Sequence, residues 1–259
     1  MKKDRDNKEK ISRRDFTKSL ISGLAASTVV AKINSSQLLA QSLKSKKRYA
    51  MLIDLKKCVG CESCTIACKQ ENLTPPNIFY NVVWFKEVGK YPKIKRQVIP
   101  RPCMHCEHPA CLKACPAEAI YKRDDGIVII DYEKCIGARQ CIEACPYSAI
   151  TFDEGTNYPQ MQTDFALIPS KEFNGKYGLR KAEELPIYRS RKCTFCLHRQ
   201  DESGNYKKLP ACVQTCMSKA RIFGDLNDPN SQVSQLLKAR KYFTLKPEAK
   251  TQPSVYYLI

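Results

Sequence analysis

The chain has 259 residues, 44 Lys and Arg against 26 Asp and Glu for a formal net charge of +18, and 15 cysteines. That length supports an ample core without the staples a miniprotein needs, and an odd cysteine count excludes a fold in which every thiol is in a disulfide. The basic excess suits nucleic acid, a membrane surface or an acidic partner alike, so charge does not choose among these classes and cysteine spacing has to.

The first segment reads Ser12-Arg13-Arg14-Asp15-Phe16-Thr17-Lys18, which matches the twin-arginine export pattern S-R-R-x-F-x-K at every fixed position. Basic residues precede it, and small apolar residues follow from Leu20 to Ala31. That stretch is too short and too polar to span a bilayer as a stable helix. Residues 1–40 are therefore expected to be a signal peptide, cleaved after Ala31 or Ala40; the competing reading is a basic amphipathic helix. No other stretch reaches the ~18 apolar residues of a membrane span. The mature protein is expected in the periplasm or on the outer face of the cytoplasmic membrane, with any membrane attachment made through a partner. Exported cysteines ordinarily pair as disulfides. The twin-arginine route carries folded proteins, often with a cofactor already loaded, and such a passenger escapes that expectation.

A strand is predicted at Tyr49–Asp54, entering a first cysteine group, Cys58-x2-Cys61-x2-Cys64-x3-Cys68. A second group follows, Cys103-x2-Cys106-x4-Cys111-x3-Cys115 before Pro116. Residues 119–131 read as a hairpin turning at Asp124-Asp125-Gly126. The third group is Cys135-x5-Cys141-x3-Cys145 before Pro146, followed by a return strand over 149–153. The stretch 155–190, rich in Asn, Gly, Pro and Tyr, is too long for an ordinary connector and is read as an insertion that covers the site or docks a partner, against the plain alternative of a solvated loop. The fourth group is Cys193-x2-Cys196-x15-Cys212-x3-Cys216, with a return strand at Arg221–Asp225. Short helices are expected near Ala110, Arg139 and Ala211, each ending at a cysteine. A last helix is expected to start within Asn227–Asn230, with Val233, Leu236 and Leu237 on one face.

Groups one and three follow the C-x2-C-x2-C-x3-C run of bacterial ferredoxins, the third with one position changed. Closely spaced thiolates wrap one cluster, and the fourth cysteine, displaced by a further turn, reaches a second. Taken alone, group four also suits a zinc ribbon. Group one, four cysteines within eleven residues, is too dense for zinc.

With these motifs the chain resembles the four-cluster iron–sulfur electron-transfer (beta) subunits of molybdopterin oxidoreductases, of the polysulfide and tetrathionate reductase type. The resemblance covers roughly residues 47–226, and Pro253–Leu258 is similar to the family's tail. It implies an α+β fold of two ferredoxin-like two-cluster units, one inserted in the other, with loop-rich extensions. Residues 47–100 plus 186–226 would form the first unit, 101–153 the inserted unit, 154–185 an insertion for partner contact, and 227–259 a C-terminal helix and tail. It implies one cluster on Cys58, Cys61, Cys64 and Cys216, and a neighbour on Cys68, Cys193, Cys196 and Cys212. In the inserted unit it implies one on Cys103, Cys106, Cys111 and Cys145. The last would take Cys115, Cys135 and Cys141, with a fourth ligand at position 138. Position 138 is Ala, which has no ligand atom. Three [4Fe-4S] clusters and one [3Fe-4S] cluster are therefore expected; a modified [4Fe-4S] or a lost fourth cluster are the alternatives.

His105, His108 and His198 flank complete cysteine groups, so packing or tuning is expected of them rather than ligation, and a structural role is expected of Trp84. No nucleotide-binding glycine loop and no catalytic constellation is present, so no catalytic residue is expected. The reading is an exported subunit that relays electrons between a molybdopterin catalytic subunit and a membrane quinone subunit in anaerobic respiration, with no nucleic-acid partner. A free periplasmic polyferredoxin, and the iron–sulfur partner of a hydrogenase or nitrite reductase, remain open. Residues 1–40 carry nine Lys and Arg and four Asp and Glu, so cleavage after Ala40 lowers the formal charge from +18 to +13. Cluster thiolates lower it further.

Overall fold

The apolar run Tyr-Ala-Met-Leu-Ile-Asp at residues 49–54 forms a strand buried along its whole length. The computed structural model describes residues 47–75, 77–155, 170–173, 179–180 and 187–259. The expected signal peptide and most of the 154–185 insertion lie outside these. In chain order the described elements are β1 (Tyr49–Asp54), α1 (Ser63–Asn72), β2 (Asn81–Val88), β3 (Lys95–Pro102), α2 (Ala110–Lys113), β4 (Ile120–Lys122) and β5 (Val128–Ile130). Then come α3 (Gln140–Ala144), β6 (Ile150–Phe152), β7 (Ser170–Phe173), β8 (Leu179–Arg180), β9 (Ser190–Lys192), α4 (Ala211–Gln214), β10 (Arg221–Asp225), α5 (Gln232–Ala239), β11 (Tyr242–Phe243) and β12 (Val255–Leu258).

The largest described sheet has the order β10-β1-β12-β11. β10 runs antiparallel to β1, with Met51 opposite Phe223, and β12 runs parallel to β1, with Met51 opposite Val255. Successive residues of a strand point to opposite faces, and β1 uses both. Tyr49, Met51 and Ile53 join the core that holds the cysteines, while Ala50 and Leu52 pack under Val233 of α5. The expected helix start at Asn227–Asn230 is corrected: those residues form a turn, and α5 starts after Ser231, whose hydroxyl accepts the Val233 N–H at 3.2 Å. That side chain satisfies one of the unpaired amides of the first turn. Val233 is buried, with Leu236 and Leu237 packed beside it.

The predicted hairpin forms as β4 and β5, paired Ile120 to Ile130. The return strand β6 does not join that hairpin; it pairs antiparallel with β9, the strand that enters the fourth cysteine group. A second hairpin, β2–β3, is paired over eight positions from Asn81–Pro102 to Val88–Lys95 and was not expected from the sequence. β3 spans residues 100 and 101, and the C-terminal tail contributes β12 to the main sheet. α1 packs on α4, and α2 packs on α3. The β7–β8 ribbon lies against α1.

Candidate cluster-binding sites

Each of the four helices that carry cysteines repeats one device, a C-x3-C spacing. Cys64 and Cys68 lie within α1, one turn apart, and are buried on its inner face with Asn72. In α2, α3 and α4 one cysteine (Cys111, Cys141, Cys212) is buried in the helix, and the other (Cys115, Cys145, Cys216) follows its last residue. Positions i and i+4 share a helix face. Once the helix stops, the second thiol leaves that face and turns towards a different set.

The cysteines that face one another electrostatically fall into distinct neighbourhoods. Cys58 faces Cys64 and Cys216. Cys68 faces Cys193, Cys196 and Cys212. Cys106 faces Cys103 and Cys145, and Cys111 faces Cys103, Cys145 and Cys106. Cys141 faces Cys135 and Cys115. Cys61 is exposed, and its thiol is held below the usual range by hydrogen bonds from the Ser63 hydroxyl and amide. Contacts between neighbourhoods are fewer: Cys212 faces Cys64, and Cys193 faces Cys103. Cys145 packs with Cys111, Cys115, Cys135 and Cys141 in one apolar cluster.

The loops are tight because particular backbone conformations allow it. Gly60 has φ +72°, and a Cβ there would stand 2.8 Å from the Phe85 ring. Gly137 has φ +76°, and a Cβ there would stand 2.7 Å from the Tyr188 carbonyl oxygen. Only glycine combines that φ with so close an approach. Backbone N–H groups reach the sulfurs: Ala119 N–H to Cys115 Sγ, Phe195 N–H to Cys193 Sγ and Ala220 N–H to Cys216 Sγ, each at 3.3 Å. Side chains add to them. Asn81 Nδ2 donates to Cys64 Sγ at 3.2 Å, and Ser190 Oγ lies 3.3 Å from Cys141 Sγ.

Burial pushes the thiols of Cys106, Cys111 and Cys193 up to about 12, and neighbouring cysteines add to the shift. Such thiols stay protonated at neutral pH unless a strong cation displaces the protons. Among the described residues, no three His, Cys, Asp or Glu side chains converge tightly enough for a single metal ion. The donor set fits a larger centre. An enclosed cavity is lined by Cys68, Cys193, Cys196 and Cys212. Thr194 Oγ1, in the lining of this cavity, and His105 Nε2, whose ring lies against Phe195, are buried without a hydrogen-bond partner. His105 accepts the Val128 N–H on Nδ1 at 3.1 Å, and burial and Lys192 hold it well below the usual histidine range. The proton of its neutral ring is therefore on Nε2, a buried donor with nothing to donate to. Buried donors without partners are rare and costly. Iron–sulfur clusters, which bring thiolate and sulfide acceptors, suit both the sulfurs and these orphaned donors.

His105 and His198 each pack against a neighbouring side chain. His105 lies against Phe195 with ring centroids 3.8 Å apart, and His198 Nε2 lies 2.7 Å from Glu71 Oε1. Trp84 is 41% exposed, with the Arg101 guanidinium 4.4 Å above its ring. It is a surface platform on the β2–β3 hairpin, not a core residue. Sequence reasoning did not single out Asn81, Ser190, Lys192, Arg221 or Thr251. Only Lys192, adjacent to Cys193, carried even a positional hint.

The 4Fe-4S dicluster domain matches residues 94–163 and, in a second form, residues 134–220. The chain is 48% identical over 214 residues to a subunit of the selenate reductase of Mesobacillus selenatarsenatis, covering 82% of this chain and 72% of that protein. It is 38% identical over 228 residues to the arsenate respiratory reductase iron–sulfur subunit of a Shewanella species, covering 82% and 96%. It is 38% identical over 217 residues to a subunit of the tetrathionate reductase of Salmonella typhimurium, covering 82% and 73%. Ferredoxin-like dicluster architecture, clustered buried thiols and these relatives agree: the chain belongs to the family of iron–sulfur electron-transfer (beta) subunits of molybdopterin oxidoreductases.

Proposed function

We propose that this chain is the electron relay of an exported respiratory complex, standing between a molybdopterin catalytic subunit and a membrane quinone subunit. The observation that carries this reading is the succession of cysteine neighbourhoods: Cys64 next to Cys212, Cys193 next to Cys103, and Cys145 next to the Cys115, Cys135 and Cys141 group. This favours four sites in a row. The first comprises Cys58, Cys61, Cys64 and Cys216; the second Cys68, Cys193, Cys196 and Cys212. The third comprises Cys103, Cys106, Cys111 and Cys145, and the fourth Cys115, Cys135 and Cys141. The packing of α1 on α4 and of α2 on α3 supports two ferredoxin-like units, one inserted in the other. The three-thiolate fourth site, with Ala138 at the remaining position, suits [3Fe-4S], and the other sites suit [4Fe-4S].

Bound clusters supply one-electron redox chemistry. The chain's part is to hold the thiolates, exclude water and aim donors at sulfur. The amides of Ala119, Phe195 and Ala220, with Asn81 and Ser190, favour the reduced, more negative state of whatever the sulfurs hold. Each end of the row has large exposed apolar side chains: Val59, Ile66 and Met217 flank the first site, and Ile136 and Tyr188 the fourth. Such patches mark protein–protein contact, and a relay needs one at each end. The names of the relatives point to selenate, arsenate or tetrathionate as the class of terminal acceptor, with electrons entering from quinol. The twin-arginine segment makes the complex an exported one.

Iron and acid-labile sulfide analysis with an EPR-monitored redox titration tests the relay. Four centres, one giving the signal of an oxidised three-iron cluster, are expected. Near-stoichiometric zinc without sulfide would overturn the reading. Purification from native membranes tests the complex. A solely monomeric soluble protein would favour the free polyferredoxin.

A further inference from the structure

Among the described residues, Arg221 and Lys192 are buried where cysteine neighbourhoods meet, and neither is matched by a carboxylate. Arg221, on β10, is 4% exposed. Its Nη2 donates to Asn81 Oδ1 at 2.6 Å, and its Nη1 lies 3.3 Å from Met51 Sδ and 3.7 Å from Cys212 Sγ. The same guanidinium lies against Cys64 and faces Cys58 and Cys68. It therefore stands between the first and second sites. Lys192, at the end of β9, is 2% exposed. Its Nζ donates to Cys193 O at 3.0 Å and to Val128 O. It faces Cys193 of the second site and Cys106 and Cys111 of the third.

The neighbouring Arg191 shows what an ordinary buried cation looks like here. Its Nη1 lies 2.6 Å from Asp153 Oδ2, and its Nε donates to the Tyr80 hydroxyl at 2.7 Å. Among the described residues, Arg221 and Lys192 have no such carboxylate. A buried charge without a counter-ion is strongly unfavourable, so the fold retains these two only where something else is negative. The negative groups beside them are cysteine sulfurs.

We propose that Arg221 and Lys192 are potential-setting residues, each a buried basic side chain shared by two neighbouring clusters: Arg221 by the first and second, Lys192 by the second and third. The inference rests on the four-site relay. An electron arriving on either neighbour of a shared cation is attracted to it, so both potentials rise together. The second site, flanked by both cations, is raised twice. A cation shared equally leaves the step between its own two clusters unchanged, and the second site, which feels both, is raised relative to the first and third.

The test is an EPR-monitored redox titration of the cluster-loaded full chain in wild-type, R221Q, R221K, K192Q and K192R forms, with iron and sulfide assayed on each. R221Q is expected to lower two of the midpoints, each by about tenfold in electron affinity, about 59 mV for a one-electron couple. K192Q is expected to lower two, one of which R221Q also lowers. R221K and K192R are expected to stay within about threefold of wild type on the same scale. If a neutral variant fails to load while its charge-retaining counterpart loads with wild-type midpoints, charge is still what the site requires, and the proposal stands. Unchanged midpoints in both neutral variants would overturn it. So would charge-retaining variants that fall as far as the neutral ones, or failure of all four variants to assemble, which would mark a packing role. Wild-type protein without labile sulfide would overturn the relay itself, a result distinct from loaded protein with unmoved potentials.

Discussion

The Tyr147 hydroxyl and the Thr251 hydroxyl share a hydrogen bond of 2.5 Å across 104 residues of sequence. It ties the end of the third cysteine group to the start of the tail. The Thr251 hydroxyl also bonds the Cys106 thiol. The tail's backbone then laces into the second cysteine loop, with Glu107 N–H donating to Gln252 O at 2.9 Å, His108 N–H to Thr251 O at 3.1 Å and Ser254 N–H to Met104 O at 2.8 Å.

Truncation after Lys250 is therefore expected to abolish assembly. It removes Val255, Tyr257 and Leu258, all fully buried, each contributing about 1.5–3 kcal/mol by burial, together with the strand that covers one edge of β1. That loss is a large share of the ~5–15 kcal/mol by which domains are stable. Soluble yield and iron per chain are the measurements. T251V, which removes only the hydroxyl, is expected to cost about 1 kcal/mol and to leave assembly intact.

Glu71 is expected to give the fold an acid limit. Burial disfavours its charge, but Arg199 and His198 outweigh burial and hold it at about 2 against an ordinary 4.5. Arg199 Nη2 reaches Glu71 Oε2 at 2.7 Å. A carboxylate depressed on folding stabilises the native state fully above its unfolded value, and that contribution drains away as pH falls through its folded value. About 3 kcal/mol should therefore be present above pH 4.5 and be lost towards pH 2. The rate of bleaching of the iron–sulfur absorption against pH measures it. E71Q should bleach faster near neutrality and show a flatter acid dependence than wild type.

Ala138 stands between Gly137 and Arg139, both at positive φ, in the loop that carries Cys135 and Cys141. Under the proposed ligand set, A138C supplies the missing thiolate. Iron per chain is expected to rise by one atom, the three-iron EPR signal to disappear and the fourth midpoint to fall. Retention of the wild-type signal and iron content would count against the three-thiolate site.

Ser190 is buried, and with Cys141 as thiolate its hydroxyl is the donor across their 3.3 Å separation. S190A removes that bond and is expected to lower the fourth midpoint alone. The upper scale is a tenfold change in electron affinity, about 59 mV for one electron. A shift in any other midpoint would mean that the effect travels through packing.

The local elements were legible because their signals are local. The largely apolar run of β1, the Asp-Asp-Gly hairpin and the short helices at Ala110, Gln140 and Ala211 each declare themselves within a dozen residues, and the cysteine groups carried the family, whereas α1 was not expected. The β2–β3 hairpin was not legible. Its outer residues, including Trp84, Phe85 and Tyr91, are large and exposed, so its strands lack the buried-face alternation by which a strand is read. The pairing of β6 with β9 joins residues about forty positions apart, with the long insertion between them. By itself, the sequence determined which thiols are offered as ligands, because ligand chemistry belongs to residue type and spacing. Only the tertiary structure decided what surrounds those atoms. Arg221 against Cys212, Lys192 against Cys193 and the tail beside β1 come from chain segments whose approach depends on the whole fold, and electrostatic tuning acts through space rather than along the chain.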